Sequence, residues 1–172
     1  MLLAVFAARS DPEAPQAPGA QGEHAWLEQL VGEWEFEMDV VTAPSQSPQR
    51  LTGTESGRRI GSWAMFEMHG SSPGGPSTGI LTLGYDPERG KYVGTWICSM
   101  ANNLVVYEGA LDAAGRILTL ETEVPNPDVP GGRAKCRDII EVVGEDQKTL
   151  TLMIEVDGEW HTFLTSRYRR KR

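Results

Sequence analysis

From Glu33 to Val40 the chain alternates without a slip: Trp34, Phe36, Met38 and Val40 take every second place, and Glu33, Glu35, Glu37 and Asp39 take the others. A period of two sends all the apolar side chains to one face of an extended strand and all the carboxylates to the other. Short runs of Val, Ile, Leu, Thr, Trp and Tyr then recur every ten or so positions, predicting strands over 33–41, 51–60, 62–69, 78–85, 91–98, 103–111, 116–124, 134–143, 148–156 and 159–168. The links between them carry hairpin chemistry, as in Asp86-Pro87-Glu88-Arg89-Gly90, Asp112-Ala113-Ala114-Gly115, Gly144-Glu145-Asp146 and the two-residue Asp157-Gly158. Helical spacing occurs once, over His24–Val31, where Trp26, Leu27, Leu30 and Val31 make an apolar stripe that Gly32 ends.

These elements predict an all-β fold. About ten strands in unbroken succession, with tight turns and no crossover helix, are most economically an antiparallel up-and-down β-barrel with a short N-terminal helix, because closure removes both exposed edges. A β-sandwich is the alternative. Glycines inside strands, among them Gly53, Gly57, Gly79, Gly94 and Gly109, favour the barrel, since closing a sheet needs bends where no Cβ obstructs. Two stretches, 70–77 and 125–132, are rich in Pro and Gly and read as longer loops.

The sequence has 172 residues, 40% of them hydrophobic, enough for one domain with its own core. That domain is expected over 24–172. Ahead of it, residues 1–23 combine an apolar stump, MLLAVFAARS, with a Pro- and Ala-rich linker. The stump lacks a basic start and is too short to span a bilayer; read as the remnant of a signal peptide it would place the domain outside the cytoplasm, and read otherwise it leaves the domain cytoplasmic. Localisation stays open between the two.

A net charge of -8 repels phosphate, so neither nucleic acid nor an anionic membrane is an expected partner. The basic C-terminal run Arg167-Tyr168-Arg169-Arg170-Lys171-Arg172 is expected to solvate itself or lie against the acidic body. Cys98 and Cys136 fall in strand-like runs and read as free, buried thiols, with a single cross-strand bridge as the alternative. The three histidines show no metal-ligand spacing, so no metal and no cofactor is assigned. Gly70-Ser71-Ser72-Pro73-Gly74 matches the letters of a nucleophile elbow, but the Pro-Gly-Gly-Pro that follows cannot form the supporting helix.

Acids inside apolar strand runs, namely Glu67, Glu108, Glu121 and Glu123, would need an arginine such as Arg58, Arg137 or Arg167, a Tyr hydroxyl or a ligand if they pointed inward. The aromatic residues Trp34, Trp63, Trp96, Tyr107 and Trp160 lie on five predicted strands that a barrel would bring around one interior.

The segments Leu27-Glu28-Gln29-Leu30-Val31-Gly32-Glu33-Trp34, Leu83-Gly84-Tyr85-Asp86-Pro87, Tyr92-Val93-Gly94-Thr95-Trp96, Tyr107-Glu108-Gly109 and Tyr168-Arg169-Arg170 together resemble a bacterial family, domain of unknown function 1579. The resemblance spans 24–172 and implies a lipocalin-like, or calycin, barrel. A more distant likeness, through the leucine-rich turn and the Gly-x-Trp opening of the first strand, is to nitrobindins and fatty-acid-binding proteins, which enclose haem or a lipid. A haem role would require an inward histidine near the C-terminal strands, and His161 is the applicant.

The functional expectation is a non-catalytic binder of a hydrophobic or amphipathic small molecule. Trp34, Phe36, Met65, Trp96 and Tyr107 would form the apolar wall, with Glu67 and His161 orienting a polar group. The alternatives are a small isomerase or hydrolase using Glu67 or Glu108 as base, haem binding through His161, and a homodimer through strand 91–98, whose two faces are both apolar.

Overall fold

The computed structural model describes residues 21–41, 47–72, 75–126, 129 and 131–172. The proposed leader and linker lie outside the described residues, except that the helix α1 (Gln21–Glu28) starts three residues earlier than the spacing predicted. Ten strands follow: β1 (Gly32–Val40), β2 (Gln49–Ile60), β3 (Trp63–Ser72), β4 (Gly75–Asp86), β5 (Lys91–Cys98), β6 (Val105–Leu111), β7 (Ile117–Pro125), β8 (Arg133–Gly144), β9 (Gln147–Val156) and β10 (Glu159–Arg170). Each pairs antiparallel with its sequence neighbours, and β10 returns to pair with β1, so the sheet is a closed barrel. The stretch expected as a loop over 70–77 is mostly strand. Ser72 pairs with Gly75, because Gly and Ser accept extended backbone when a neighbouring strand supplies the ladder.

Alternation carries through from sequence to packing. Trp34 and Phe36 of β1 are buried while Glu33, Glu35 and Glu37 point out. Their inward neighbours on β2 are Glu55 and Gly53, and Gly53 is obligatory there because a Cβ would collide with the Phe36 ring. At the turn Asp157-Gly158 both residues have positive φ, 52° and 84°, which is the geometry of a two-residue hairpin whose twist matches its strands.

The interior divides into two halves. At the end bounded by the β2–β3, β4–β5, β6–β7 and β8–β9 turns, α1 and the turn after it plug the barrel with Trp26, Leu27 and Leu30, which cluster with Leu83, Tyr92 and Leu118. Leu27 and Leu30 are almost wholly buried, and each contributes about 1.5–3 kcal/mol to holding the helix in place. Trp26 Nε1 donates to the Gly115 carbonyl at 3.0 Å, and the Tyr92 hydroxyl to that of Glu23 at 3.1 Å, so the plug is also fixed by polar contacts. The C-terminal strand locks the same end. The Arg170 guanidinium donates to the carbonyls of Val31, Gln29 and Glu145 and lies 4.1 Å from the Trp34 ring centre. Two of the five basic side chains of the tail are therefore laid against the body, Arg170 here and Arg167 paired to Asp39 at 2.7 Å, while Arg169, Lys171 and Arg172 are exposed.

Candidate functional site

The half of the barrel away from α1 is hollow. A cavity of about 310 Å³ is lined by side chains from nine of the strands, all but β2, chiefly Leu, Ile, Val, Met and the rings of Trp96, Tyr107 and Phe163. Its walls follow from strand parity. Residues spaced by two on β7 (Leu120, Thr122, Val124), β8 (Cys136, Asp138, Ile140) and β9 (Leu150, Leu152, Ile154) all turn inward, and the ladders set Asp138 opposite Leu120 on one side and Leu152 on the other.

Asp138 is the one charged residue lining the cavity among the described residues and is 9% exposed. The Tyr107 hydroxyl donates to its Oδ2 at 2.8 Å, while Oδ1 meets no hydrogen-bonding group among the described residues. Burial among apolar side chains raises the Asp138 carboxyl from 3.8 to about 6, a rise that the Tyr107 hydrogen bond opposes. Burial, with the Asp138 charge beside it, also drives the Tyr107 hydroxyl well above the ordinary phenol range. The Cys136 thiol is pushed up to about 11, first by burial and then by Asp138. Both cysteines are free thiols.

Beneath the cavity lies a second polar centre. Lys148 Nζ is 2.5 Å from Glu55 Oε1, donates to the Leu30 carbonyl at 3.2 Å and sits over the rings of Trp34 and Tyr168. Lys148 and Glu55 are thus matched to each other inside the protein, which marks a structural centre.

The cavity also approaches the outer surface through the wall. The β6–β7 ladder pairs only Glu108–Leu111 with Leu118–Glu121, although β6 begins at Val105 and β7 runs on to Pro125. Across the unpaired part, Thr122 Oγ1 donates to the Val106 carbonyl at 2.8 Å. Thr122 and Cys136 line both the cavity and a polar groove on the outer face.

Of the residues singled out in the sequence, Trp96 and Tyr107 line the cavity. Phe36 is buried beside it, packed on Tyr168 and Met68. Trp34 is inward but belongs to the layer below, where its Nε1 donates to the Leu30 carbonyl at 2.9 Å. Met65 and Glu67 are on the outer face: β3 turns Ala64, Phe66 and Met68 inward, so the opposite parity, with Trp63, faces solvent. Glu67 there is 3.0 Å from His69 Nε2. Glu108 is also outside, bonded to Arg89, as are Glu121 with Arg137 and Glu123 with Arg133. Neither glutamate considered as an interior base is interior.

His161 is exposed and does not line the cavity. An extra residue at Phe163 shifts the register between Thr162 and Leu164, so both Phe163 and Leu164 reach the cavity and the parity of the strand is reversed beyond them, with His161 opposite Ile154 and Trp160 opposite Glu155. Trp160 accordingly faces outward, over the Arg137 guanidinium at 4.1 Å. Among the described residues no cluster of His, Cys, Asp or Glu could hold a metal ion, and no helix is long and apolar enough to cross a membrane.

Sequence reasoning passed over Asp138 and the Lys148–Glu55 pair. A signal existed for the aspartate, which shares parity with Cys136 and Ile140 in an apolar run. Nothing in the local sequence ties Glu55 to Lys148, which are 93 residues apart.

The family model described as "Protein of unknown function (DUF1579)" matches residues 19–170. Among solved structures, the crystal structure of Rv2717c from M. tuberculosis superposes with a TM-score of 0.62 at 15% identity, covering 92% of this chain and 100% of that one. A redesigned β-barrel, b11L5F_LGL, matches at 12% identity over 84% of this chain and 94% of its own, with a TM-score of 0.38. The first likeness shows the fold, and the second is too loose to argue from. No curated protein sequence matches the chain.

Proposed function

The chain belongs to the DUF1579 family of proteins of unknown function, and we propose that its barrel is a carrier for a small apolar or amphipathic molecule held in the half away from α1. The observation that carries this reading is the 310 Å³ cavity itself, walled by apolar side chains with a single buried carboxylate among them. A solid core would fill such a space, whereas ligand sites are hollows of this order, mostly apolar, with few polar groups that fix orientation. At about 30 Å³ per water-sized atom, the volume suits a molecule of about ten non-hydrogen atoms. The polar anchor is then Asp138 with Tyr107, in place of the Glu67 and His161 expected from the sequence. Binding without turnover is favoured because Tyr107 is already committed to Asp138 and the Cys136 thiol is held protonated.

The test is calorimetric titration with 1-octanol, whose body matches the cavity. One saturable site with a negative heat-capacity change is expected. Leu152→Trp, which fills the hollow beside Asp138, should abolish that site while the barrel stays folded. Uptake that never saturates, or that survives Leu152→Trp unchanged, would overturn the reading. Native mass spectrometry of protein taken from its own host complements this by looking for a co-purifying small molecule and counting subunits. That count also tests the dimer expected from β5, whose Ile97 is half-exposed on the outer face.

A further inference from the structure

The cavity holds a negative charge that the protein does not match. Tyr107, which donates to Asp138 Oδ2, is neutral, and the nearby interior cation, Lys148, is paired with Glu55. Asp138 stands among apolar neighbours, Leu120 and Leu152 across the ladders and Ile140 along the strand, and its buried Oδ1 is without a donor among the described residues. An ionised carboxylate with one bare oxygen in such surroundings is a costly arrangement unless a donor is supplied from outside the chain.

Resting on the carrier reading above, we propose that the occupant is an amphipathic amine: an apolar body of about ten non-hydrogen atoms bearing one protonated nitrogen that pairs with the Asp138 carboxylate. Three head groups distinguish themselves at this position. A neutral alcohol satisfies the bare oxygen and leaves the charge unmatched. A carboxylate brings a like charge into a dry site. An ammonium group supplies both the hydrogen bond and the counter-charge, and because folding has already removed Asp138 from water, only the incoming cation must still be desolvated. The rest of the lining has no second charge to compete for it and no cation to repel it.

The experiment compares n-octylamine, 1-octanol and octanoate by calorimetry at pH 7.5, on the full chain and on Asp138→Asn. At that pH the amine is protonated and Asp138 is mostly ionised. The expected result is an amine at least tenfold tighter than the alcohol, an alcohol tighter than the carboxylate, and competition between amine and alcohol for one site. Asp138→Asn should bring the amine down to the alcohol's affinity while changing the alcohol less than threefold. Octanoate binding as tightly as the amine, or an amine affinity that Asp138→Asn leaves within threefold, would overturn the proposal. The wild-type ranking decides the matter even if the variant folds poorly. Should the alcohol bind in the cavity without any preference for the amine, the amine proposal alone falls; should neither bind, the carrier reading falls and takes this proposal with it.

Discussion

Lys148 and Glu55, on strands far apart in the sequence, form the one ion pair with both side chains buried among the described residues. Its place between α1 and the cavity floor gives it a positioning role, because Lys148 also holds the Leu30 carbonyl just past the helix and so joins plug to barrel. Removing one partner of such a pair costs more than removing both, since the survivor is left charged and dry. Lys148→Met should therefore lower stability by about 3–5 kcal/mol in urea unfolding. The double variant Lys148→Met with Glu55→Leu should recover most of that loss. A double variant as unstable as the sum of the two single changes would show that the pair does not act as a unit.

Asp138 gives the opposite sign. Its carboxyl is raised from 3.8 to about 6 in the folded state, so its contribution to stability is fully present below about pH 3.8 and lost as the pH rises through about 6. Above that window the folded chain carries a buried charge that the unfolded chain carries in water. Asp138→Asn removes this penalty and should stabilise the unliganded protein at pH 7 by about 2–3 kcal/mol. The gain should shrink between pH 6 and 4 and vanish below. Chemical unfolding at a series of pH values measures it, and a gain independent of pH would mean that the carboxyl is not desolvated. A residue whose loss stabilises the empty protein is retained for something other than folding, in keeping with the carrier reading.

Trp96 forms part of the cavity wall because Gly79, beside it on β4, has no side chain. A Cβ at Gly79 would overlap the Trp96 ring. Gly79→Ala should push the indole off its rotamer at a cost of about 1–3 kcal/mol, and should weaken uptake of 1-octanol. Tryptophan fluorescence, compared with a Trp96→Phe control, separates a moved ring from a general loss of structure.

The thin part of the wall, where β6 runs past its paired segment, depends on the bond from Thr122 to the Val106 carbonyl. Thr122→Val keeps the shape and deletes the donor, costing about 0.5–1.5 kcal/mol. Hydrogen exchange should rise locally at Val105–Tyr107 and leave the β1–β10 ladder unchanged. A rise spread evenly over the barrel would mean that the bond supports the whole sheet and not this opening.

How far the sequence carried can be read residue by residue. All ten strands lie within three or so residues of their predicted ends, because period-two alternation and hairpin turns are local signals, and the ladder from β10 to β1 follows once strands are too many to leave edges open. Parity was the weak link. In β3, Trp63, Met65 and Glu67 look as eligible for the interior as Ala64, Phe66 and Met68, and only the ladders to β2 and β4 decide between them. The register shift at Phe163 turned Trp160 outward in the same way, since a bulge leaves no mark in composition, whereas His161 stands opposite the cavity-lining Ile154 and is nonetheless exposed. Asp138 was legible by its neighbours, yet the significance of an unmatched carboxylate appears only when Leu120, Leu152 and Tyr107 are placed around it.

The thiol in the cavity wall offers an independent probe of the cavity. Cys136 is 3% exposed and its thiol is pushed up to about 11, so only about one molecule in a thousand carries the reactive thiolate at pH 8. In Cys98→Ser protein, where Cys136 is the remaining thiol, reaction with dithionitrobenzoate should be slow and should accelerate about tenfold per pH unit between 7 and 10. Because Asp138 contributes to the raised value, Asp138→Asn should speed the reaction at fixed pH without changing its dependence on reagent concentration. Filling the hollow with 1-octanol should slow it, since Cys136 lines the space that the alcohol would occupy. If the rate is fast and indifferent to pH, the thiol reacts through opening of the barrel. If 1-octanol binds yet gives no protection, the alcohol sits elsewhere on the protein, and the cavity loses its claim as the carrier site.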